Sequence, residues 1–378
     1  MNPGRRVMDR DQAQSGSGNH PGELRRWSLT TTQRLVSVVV LTWALVSGAT
    51  GAGQVHAVPG PESKPALNAL TPAEHGLGTA SQPGPSSALT FAIAADMRSF
   101  AGPGACDTMQ YFGGAVEAIA ALGNIAFLVS PGDLDPPGNV RWTITRTLGI
   151  TFTWYPVVGN HELPGAGQEA AVGGNLRWLN SYDYGTVNPG PSGCPTTTYS
   201  FDYGSVHLAV LNEYCDSSGD GATPGDVPDH LYNWLLADLS NTSQPQILVF
   251  GHEPAYPQPD ADNGRIRHIG DSLDQYPTHR DRFWHLLRDR GVLAYICGHT
   301  HNYSAARIDG VWQIDVGHAR GLGDTGVRST FVIIRTNGQV MALEVYRDDA
   351  NGGPYTPVHR EYLAARECFL PLMWDQHR

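Results

Sequence analysis

The sequence predicts an α/β layered domain with mixed sheets. Strand-like apolar runs alternate along the chain with patterns that carry apolar residues at three- and four-residue spacing. The strand-like runs are LTFAIAA, IAFLVS, TWYPVV, VHLAVL, QILVF, VLAYIC, VWQIDV, TFVIIR and VMALEVY. The helical patterns are MQYFGGAVEAIAAL, VRWTITRTL, LRWLNSY, HLYNWLLADL and HRDRFWHLLRDR. This alternation is typical of α/β domains, and the short turns in FDYGSVHL and RTNGQV predict antiparallel hairpins in addition.

Residues 1–57 are predicted to be an export signal. Arg25, Arg26 and Arg34 precede the apolar run LVSVVVLTWALV, which is shorter than a bilayer span requires. The stretch 55–57 then has the form of a signal-peptidase site. The alternative is an uncleaved anchor that tethers the protein to a membrane. Both alternatives predict a secreted or cell-envelope location.

The remaining chain divides into three parts. Residues 58–87 are rich in Pro, Gly, Ala and Ser without an apolar period, which predicts a flexible linker. Residues 88–348 contain all the strand and helix patterns and form the predicted domain. Residues 349–378 are a C-terminal extension that packs on the domain or follows it. The oligomeric state cannot be derived from these features.

Charge and cysteine content exclude several classes of site. The formal net charge is −11, and the first 57 residues hold six arginines against three acids, so the exported chain is still more acidic. This balance excludes a basic nucleic-acid-binding patch. The cysteines form no CxxC pair, which argues against zinc-finger and thioredoxin-like motifs. Cys194 and Cys215 flank one predicted hairpin and are the expected disulfide, while Cys297 in an apolar strand is expected to be buried.

Polar side chains follow five of the predicted strands, at the point where each strand ends. They lie in the segments AADM, PGDLD, GNHE, GHEP and GHTH, and the residues concerned are Asp96, Asp133, Asn160, His161, Glu162, His252, His299 and His301. Side chains beyond the carboxyl ends of strands converge in one crevice of an α/β sheet. Taken singly, each of these residues is explained by a turn, by a helix cap or by a histidine whose hydrogen bonds are satisfied. Their repetition, with glycine before the polar residue at four of the five places, favours a metal site.

The ligand types indicate the chemistry. Mixed Asp, Asn and His ligation suits zinc, manganese or iron, and the lack of thiolates argues against a structural zinc. Two such ions sharing ligands about 3.5–4 Å apart would clamp a phosphoryl group and activate a water for attack. The pattern therefore predicts hydrolysis without a protein nucleophile.

The segments GD, GNHE, GHEP and GHTH, in this order after a strand that ends in Asp, resemble the calcineurin-like metallophosphoesterase superfamily, which includes the purple acid phosphatases. The resemblance covers residues 89–346 and implies a four-layer α/β/β/α sandwich of two mixed sheets, with two divalent metal ions at the strand ends. It implies that Asp96 and His301 bind the first ion and that Asp133 bridges both ions. It also implies that Asn160, His252 and His299 bind the second ion.

The same resemblance assigns roles in catalysis. His161 would be the general acid that protonates the leaving-group oxygen, with Glu162 orienting it from behind. Asn302 and Tyr303 after GHTH are similar to the purple acid phosphatase branch. The substrate would be a phosphate ester.

Arg98 departs from the family pattern. The family commonly has Asp-x-His where this chain has Asp96-Met97-Arg98, and a guanidinium cannot ligate a metal. Purple acid phosphatases lack that histidine too, but they have a tyrosine where this chain has Pro136. Water or Asp135 could fill the vacant position, or the first site could be empty.

Arg98 itself has two interpretations. It could bind substrate phosphate oxygens, which suit its planar fork, or pair with a neighbouring carboxylate such as Asp133 or Asp135. Arg267 and Arg320 are weaker candidates for phosphate contacts. His207 is expected to be packed in its strand, and His268 is expected to be solvated.

Two functions follow from the sequence. The first is an exported, metal-dependent phosphoesterase that hydrolyses phosphate esters by a metal-activated hydroxide, with monoesters favoured over diesters. The alternative is a metal-stabilised surface or binding protein whose catalytic centre has decayed at Arg98.

Overall fold

Two mixed β-sheets form the centre of the fold. The computed structural model describes residues 88–98, 106, 108–164, 174–323, 326–349 and 353–364. The predicted export signal and the linker up to residue 87 therefore lie outside the described residues. Within the described residues, no helix is both long enough and apolar enough to cross a membrane.

The first sheet has six strands. They are β1 (Leu89–Ile93), β2 (Phe127–Ser130), β3 (Thr153–Pro156), β11 (Thr330–Thr336), β12 (Met341–Arg347) and β13 (Thr356–Ala364). Their order is β13-β12-β11-β1-β2-β3, with β1, β2 and β3 parallel and the remaining pairs antiparallel. The parallel strands end at the same edge, which places their following turns side by side.

The second sheet has seven strands. They are β4 (Asn188–Pro189), β5 (Tyr199–Tyr203), β6 (Val206–Val210), β7 (Gln246–Phe250), β8 (Ala294–Cys297), β9 (Tyr303–Ile308) and β10 (Val311–Val316). Their order is β4-β5-β6-β7-β8-β10-β9. Strands β6, β7, β8 and β10 run parallel, and antiparallel pairs flank them at both edges.

Helices cover the outer face of each sheet. They are α1 (Phe112–Leu122), α2 (Pro137–Leu148), α3 (Asn175–Ser181), α4 (Asp229–Asn241) and α5 (Pro277–Asp289). One apolar cluster joins β1–β3, β11 and β12 of the first sheet to β5–β8 and β10 of the second. A second cluster packs α1–α3 on the first sheet, and a third packs α4 and α5 on the second. The prediction of a four-layer α/β/β/α sandwich with two mixed sheets is confirmed.

Aromatic side chains hold the two sheets face to face. Tyr155 on β3 stacks on Phe201 of β5 with ring centroids 3.9 Å apart, and Phe127 on β2 meets Phe201 edge-on at 5.9 Å. Burial of each such ring contributes about 1.5–3 kcal/mol to the free energy of unfolding. These contacts fix the first sheet against the second and so bring the turns of both sheets to a common edge.

The C-terminal extension contributes an element that the sequence patterns did not indicate. Strand β13 lies within residues 349–378 and pairs along β12 as the edge of the first sheet. The predicted disulfide is confirmed, since Cys194 and Cys215 are bonded on either side of the β5–β6 hairpin. Cys297 is buried as expected.

His207 lies on β6 between two carboxylates. It is 5% exposed, its Nδ1 lies 2.7 Å from Asp202 Oδ1, and its Nε2 lies 2.8 Å from Asp238 Oδ2. Burial lowers the pKa of this histidine, but the hydrogen bonds to Asp238 and Asp202 outweigh burial and raise the pKa overall. The charged imidazolium is therefore the form that the fold stabilises.

We expect His207→Gln to destabilise the protein by about 1–3 kcal/mol at about pH 6 and by less at about pH 8.5. Because the folded pKa is raised, the charged contacts contribute fully below the ordinary histidine value of about 6.5 and are lost as pH rises through the folded pKa. Urea unfolding of both proteins at a series of pH values measures this difference. His285→Gln, at an exposed position of α5, is the control. A difference that stays constant or grows with pH would contradict the assignment.

Candidate metal centre

Turns from both sheets meet at the carboxyl ends of the parallel strands. Asp96 follows β1, Asp133 follows β2, and a short 3-10 helix at Asn160–Glu162 follows β3. From the second sheet, His252 follows β7, while His299 and His301 follow β8. The backbone N–H of His299 donates to Asp96 Oδ2 at 2.9 Å, which joins the two sheets directly. All the predicted ligand residues therefore lie in one cluster.

Four of these residues have a strained backbone. Asp96, Asp133, His299 and His301 have φ values of 52°, 55°, 71° and 60°. The left-handed region costs a residue with a side chain roughly 1–3 kcal/mol, and such residues cluster at functional sites because the surrounding structure holds them there. Short, strained turns aim these side chains into a common space.

Glycine is required where the turns touch. A Cβ on Gly159 would collide with the backbone N of Asp133 and would lie 2.6 Å from Asp133 Oδ1. A Cβ on Gly298 would lie 2.9 Å from Ala95 Cβ and would collide with Asp96 Oδ2. The glycines of GNHE and GHTH thus permit the close approach of neighbouring turns.

The buried side chain of Glu162 ties two of the turns together. Its Oε2 accepts hydrogen bonds from the backbone N–H groups of Asp133 at 3.0 Å and Gly159 at 2.7 Å. Its Oε1 accepts from Leu134 at 2.8 Å and Asp135 at 3.1 Å. Burial raises the pKa of Glu162, whereas these donors oppose the rise. If Glu162 were protonated, its O–H would face N–H donors and find no acceptor among them. These contacts therefore require the ionised carboxylate.

Glu213 and Asp315 hold the turns of the second sheet by accepting hydrogen bonds from them. Glu213 Oε2 accepts from the backbone N–H of His252 at 2.9 Å and of Glu253 at 2.7 Å. Asp315 accepts from Thr300 Oγ1 and from the N–H of Gly317 at 3.0 Å. Burial raises the pKa of Glu213 to about 7 and that of Asp315 to about 8.

Sequence reasoning missed both of these residues. Asn212-Glu213 comes directly after VHLAVL, so the strand-end signal that identified the ligands was present there as well. Asp315 lies inside the apolar run VWQIDV, where only the fold shows its role.

One part of the centre, here called site B, is formed by Asp133, Asn160, His252 and His299. His252 Nε2 lies 3.1 Å from Asn160 Oδ1, 3.2 Å from His299 Nδ1 and 3.4 Å from Asp133 Oδ1. His299 Nδ1 lies 3.2 Å from Asn160 Oδ1. Tetrahedral ligands about 2.0–2.1 Å from a zinc ion are separated from one another by about 3.3–3.4 Å. These side chains fit a divalent ion.

The hydrogen bonding of His252 supports the same fit. Its Nδ1 donates to the carbonyl oxygen of Pro131 at 2.8 Å, which leaves a lone pair on Nε2 facing site B. Metal-binding histidines are fixed in this way by a bond from the other ring nitrogen. Burial lowers the pKa of both His252 and His299, so the neutral, ligating form is favoured.

The other part, here called site A, is formed by Asp96, Asp133 and His301. Their ligand atoms lie within 4.8 Å of one another, and His301 Nε2 is 3.4 Å from Asp96 Oδ1. Burial and the Asp133 charge raise the pKa of Asp96. Burial opposes ionisation of Asp133, but His252, His161 and Arg98 outweigh it and lower its pKa. Asp135 Oδ1 accepts a hydrogen bond from Asn175 at 2.8 Å.

Arg98 and His161 lie together at the edge of the centre. The Nη1 atom of Arg98 is 2.7 Å from His161 Nδ1 and also contacts Nε2, while Arg98 Nε is 3.9 Å from Asp133 Oδ2. The His161 side chain is 23% exposed, and its backbone N–H donates to Asp133 Oδ1. Burial lowers the pKa of His161. The roles of His161 as general acid and of Arg98 as substrate ligand stay predictions.

Arg267 and Arg320 contact the Nδ1 atom of His301, whereas Asp96 lies near its Nε2 atom. Arg267 Nη1 lies 2.7 Å from His301 Nδ1, and Arg320 Nη2 lies 3.1 Å from the same atom. Arg320 is only 2% exposed. The two arginines that the sequence ranked as weaker candidates therefore lie at the centre with Arg98.

His268 is only partly solvated, whereas the sequence suggested a solvated side chain. Its side chain is 25% exposed, its ring centroid lies 4.1 Å from that of His299, and its Nδ1 is 3.2 Å from Asp271 Oδ2. The ligand atoms of His268, Asp271 and His299 lie within 4.8 Å of one another. A lone histidine in the loop RIRHIG gave no signal of this position.

We expect Glu162→Gln to lower the free energy of unfolding by about 2–4 kcal/mol and to weaken metal binding. Replacing either carboxylate oxygen by an amide NH₂ leaves two backbone N–H groups buried without an acceptor, at about 1–3 kcal/mol each. Urea unfolding and competition with a chelator measure the two effects. Glu117→Gln, at an exposed position of α1, is the matched control. Equal stability of the two variants would show that Glu162 does not hold the turns.

Several solved structures are similar to the chain at low identity. The structure of GAP50 from Plasmodium is 13% identical with a TM-score of 0.47, covering 74% of this chain and 90% of that one. PhoD is 11% identical with a TM-score of 0.49, covering 74% and 71%. Vps29 from Entamoeba histolytica, solved with Zn²⁺, is 13% identical with a TM-score of 0.35, covering 73% and 99%.

Comparison with curated protein sequences gives no match. The sequence model described as calcineurin-like phosphoesterase matches residues 89–303, which is more than half of the chain and contains every residue of sites A and B. The chain belongs to the calcineurin-like phosphoesterase family.

Proposed function

We propose that the protein is an exported, metal-dependent phosphoesterase that prefers monoesters to diesters. The observation that carries the proposal is site B, where two histidines, an amide and a carboxylate converge at metal-ligand separations with His252 in the ligating tautomer. A divalent ion held there would supply charge neutralisation at a phosphoryl group and activation of water. Zinc, manganese and iron all suit these ligands.

The residues around the ion would complete the reaction. His161 lies beside Asp133 and would give a proton to the leaving-group oxygen. The guanidinium of Arg98 next to it would orient phosphate oxygens through its planar fork. Glu162 keeps the turn that carries His161 in position through the backbone.

The monoester preference is supported by the positive charge around the centre. Arg98, Arg267 and Arg320 lie within contact distance of His161 or His301. A phosphate monoester carries more negative charge than a diester at neutral pH, so guanidinium groups favour the monoester.

Export is supported by the sequence and by the disulfide. The charged and apolar pattern within residues 1–57 is that of an export signal, or of a membrane tether if it is uncleaved. The Cys194–Cys215 bond suits an oxidising compartment. A secreted or cell-envelope phosphoesterase is the function that we infer.

The second candidate is a metal-stabilised binding protein without turnover. The contact between Arg98 and both ring nitrogens of His161 is the observation that favours it, because a proton donor engaged in this way is not available to a leaving group.

We expect the purified protein to hydrolyse an aryl phosphate, to lose this activity with a chelator and to regain it with a divalent metal. His161→Ala should lower kcat by about 10²–10⁴-fold, because an aryl substrate still needs its leaving group stabilised. His285→Ala, at an exposed position of α5, should behave as wild type. Equal inactivity of wild type and His161→Ala after metal loading would favour the binding protein.

A further inference from the structure

The two halves of the metal centre differ in which ring nitrogen can bind an ion. In site B, His252 donates from Nδ1 to a backbone carbonyl and keeps its lone pair on Nε2. Asn160, His299 and Asp133 surround that lone pair at 3.1–3.4 Å. His252 Nε2, Asn160 Oδ1 and Asp133 Oδ1 are thus acceptors that face one another, and within the described residues no guanidinium hydrogen-bonds to a ring nitrogen of His252 or His299.

In site A the histidine has the opposite arrangement. His301 Nδ1 faces Arg267 Nη1 at 2.7 Å and Arg320 Nη2 at 3.1 Å. A guanidinium has N–H donors and no acceptor, so Nδ1 must be the acceptor of both contacts. The proton of the neutral ring then lies on Nε2, the atom that faces Asp96 Oδ1 at 3.4 Å. The nitrogen that would bind an ion in site A carries a hydrogen instead.

The guanidiniums near site A outnumber its acids. Asp96 and Asp133 are the two acids of the site. Arg98 lies beside Asp133, while Arg267 and Arg320 contact the ring of the site's histidine. Arg320 is buried, so its charge is poorly screened by water. A divalent ion placed between these groups would be repelled by each guanidinium.

We propose that site A holds no metal ion and that Arg98, Arg267 and Arg320 supply its positive charge, so that the protein binds one divalent ion per chain, in site B. The guanidiniums then face the phosphoryl group on the side where a second ion would otherwise lie. This inference rests on one part of the proposed function, namely that the protein binds a divalent ion.

The test is a count of metal ions per chain. Wild type, His252→Ala and His301→Ala are saturated with Zn²⁺ or Mn²⁺, freed of excess by gel filtration, and analysed by elemental mass spectrometry and native mass spectrometry. We expect about one ion in wild type, about one in His301→Ala and none in His252→Ala. Thermal unfolding establishes that each variant is folded.

Two ions per chain in wild type would overturn the proposal, and so would loss of the ion from folded His301→Ala. The wild-type count alone keeps the proposal testable if a variant does not fold. Failure of this inference is distinct from failure of the proposed function. Phosphatase activity with two ions per chain contradicts only the inference, whereas one ion per chain without turnover contradicts only the function.

Discussion

The metal centre depends on a buried carboxylate that is not itself a predicted ligand. Glu162 accepts four backbone N–H bonds and fixes the turn after β2 against the turn after β3. Without an acceptor these N–H groups would be buried and unpaired, which is among the more costly defects a fold can carry. Glu213 and Asp315 hold the turns of the second sheet in the same way. The turns after β2, β3, β7 and β8 are therefore each positioned by an acid behind them.

This arrangement explains how the strained turns persist. Asp96, Asp133, His299 and His301 all have left-handed backbones, and the hydrogen bond from His299 N–H to Asp96 Oδ2 crosses between the sheets. The aromatic contacts of Phe201 with Tyr155 and Phe127 keep the two sheets packed against each other in a fixed position. A rigid core and buried acids thus hold the side chains of site B at ligand separations before an ion binds. Asp96 Oδ1 and His299 Nε2 remain buried without a hydrogen bond from any described residue, and such orphan atoms are typical of functional sites.

Much of the fold and of the metal centre could be predicted from the sequence, for identifiable reasons. Alternating apolar runs predicted the α/β class, and polar residues after strands predicted the ligand cluster around Asp133 and His252, because both signals are local. The approach of Arg267 to His301 spans a sequence separation of 34 residues and could not be read from either segment. Asp315 lies inside an apolar strand, and β13 is exposed along most of its length, which weakens its apolar pattern. These features depend on how segments that are distant in sequence pack together. The residue pattern of a single segment does not encode that packing.

The central claim is that a divalent ion binds at the strand ends between Asp133, Asn160, His252 and His299. Crystals of the protein soaked in Mn²⁺ or Zn²⁺ would show the ion directly as an anomalous difference peak at the metal's absorption edge. We expect a peak at bonding distance from His252 Nε2, His299 Nδ1 and Asn160 Oδ1. A fully loaded crystal with no peak there, or with its peak between His268 and Asp271 instead, would contradict it.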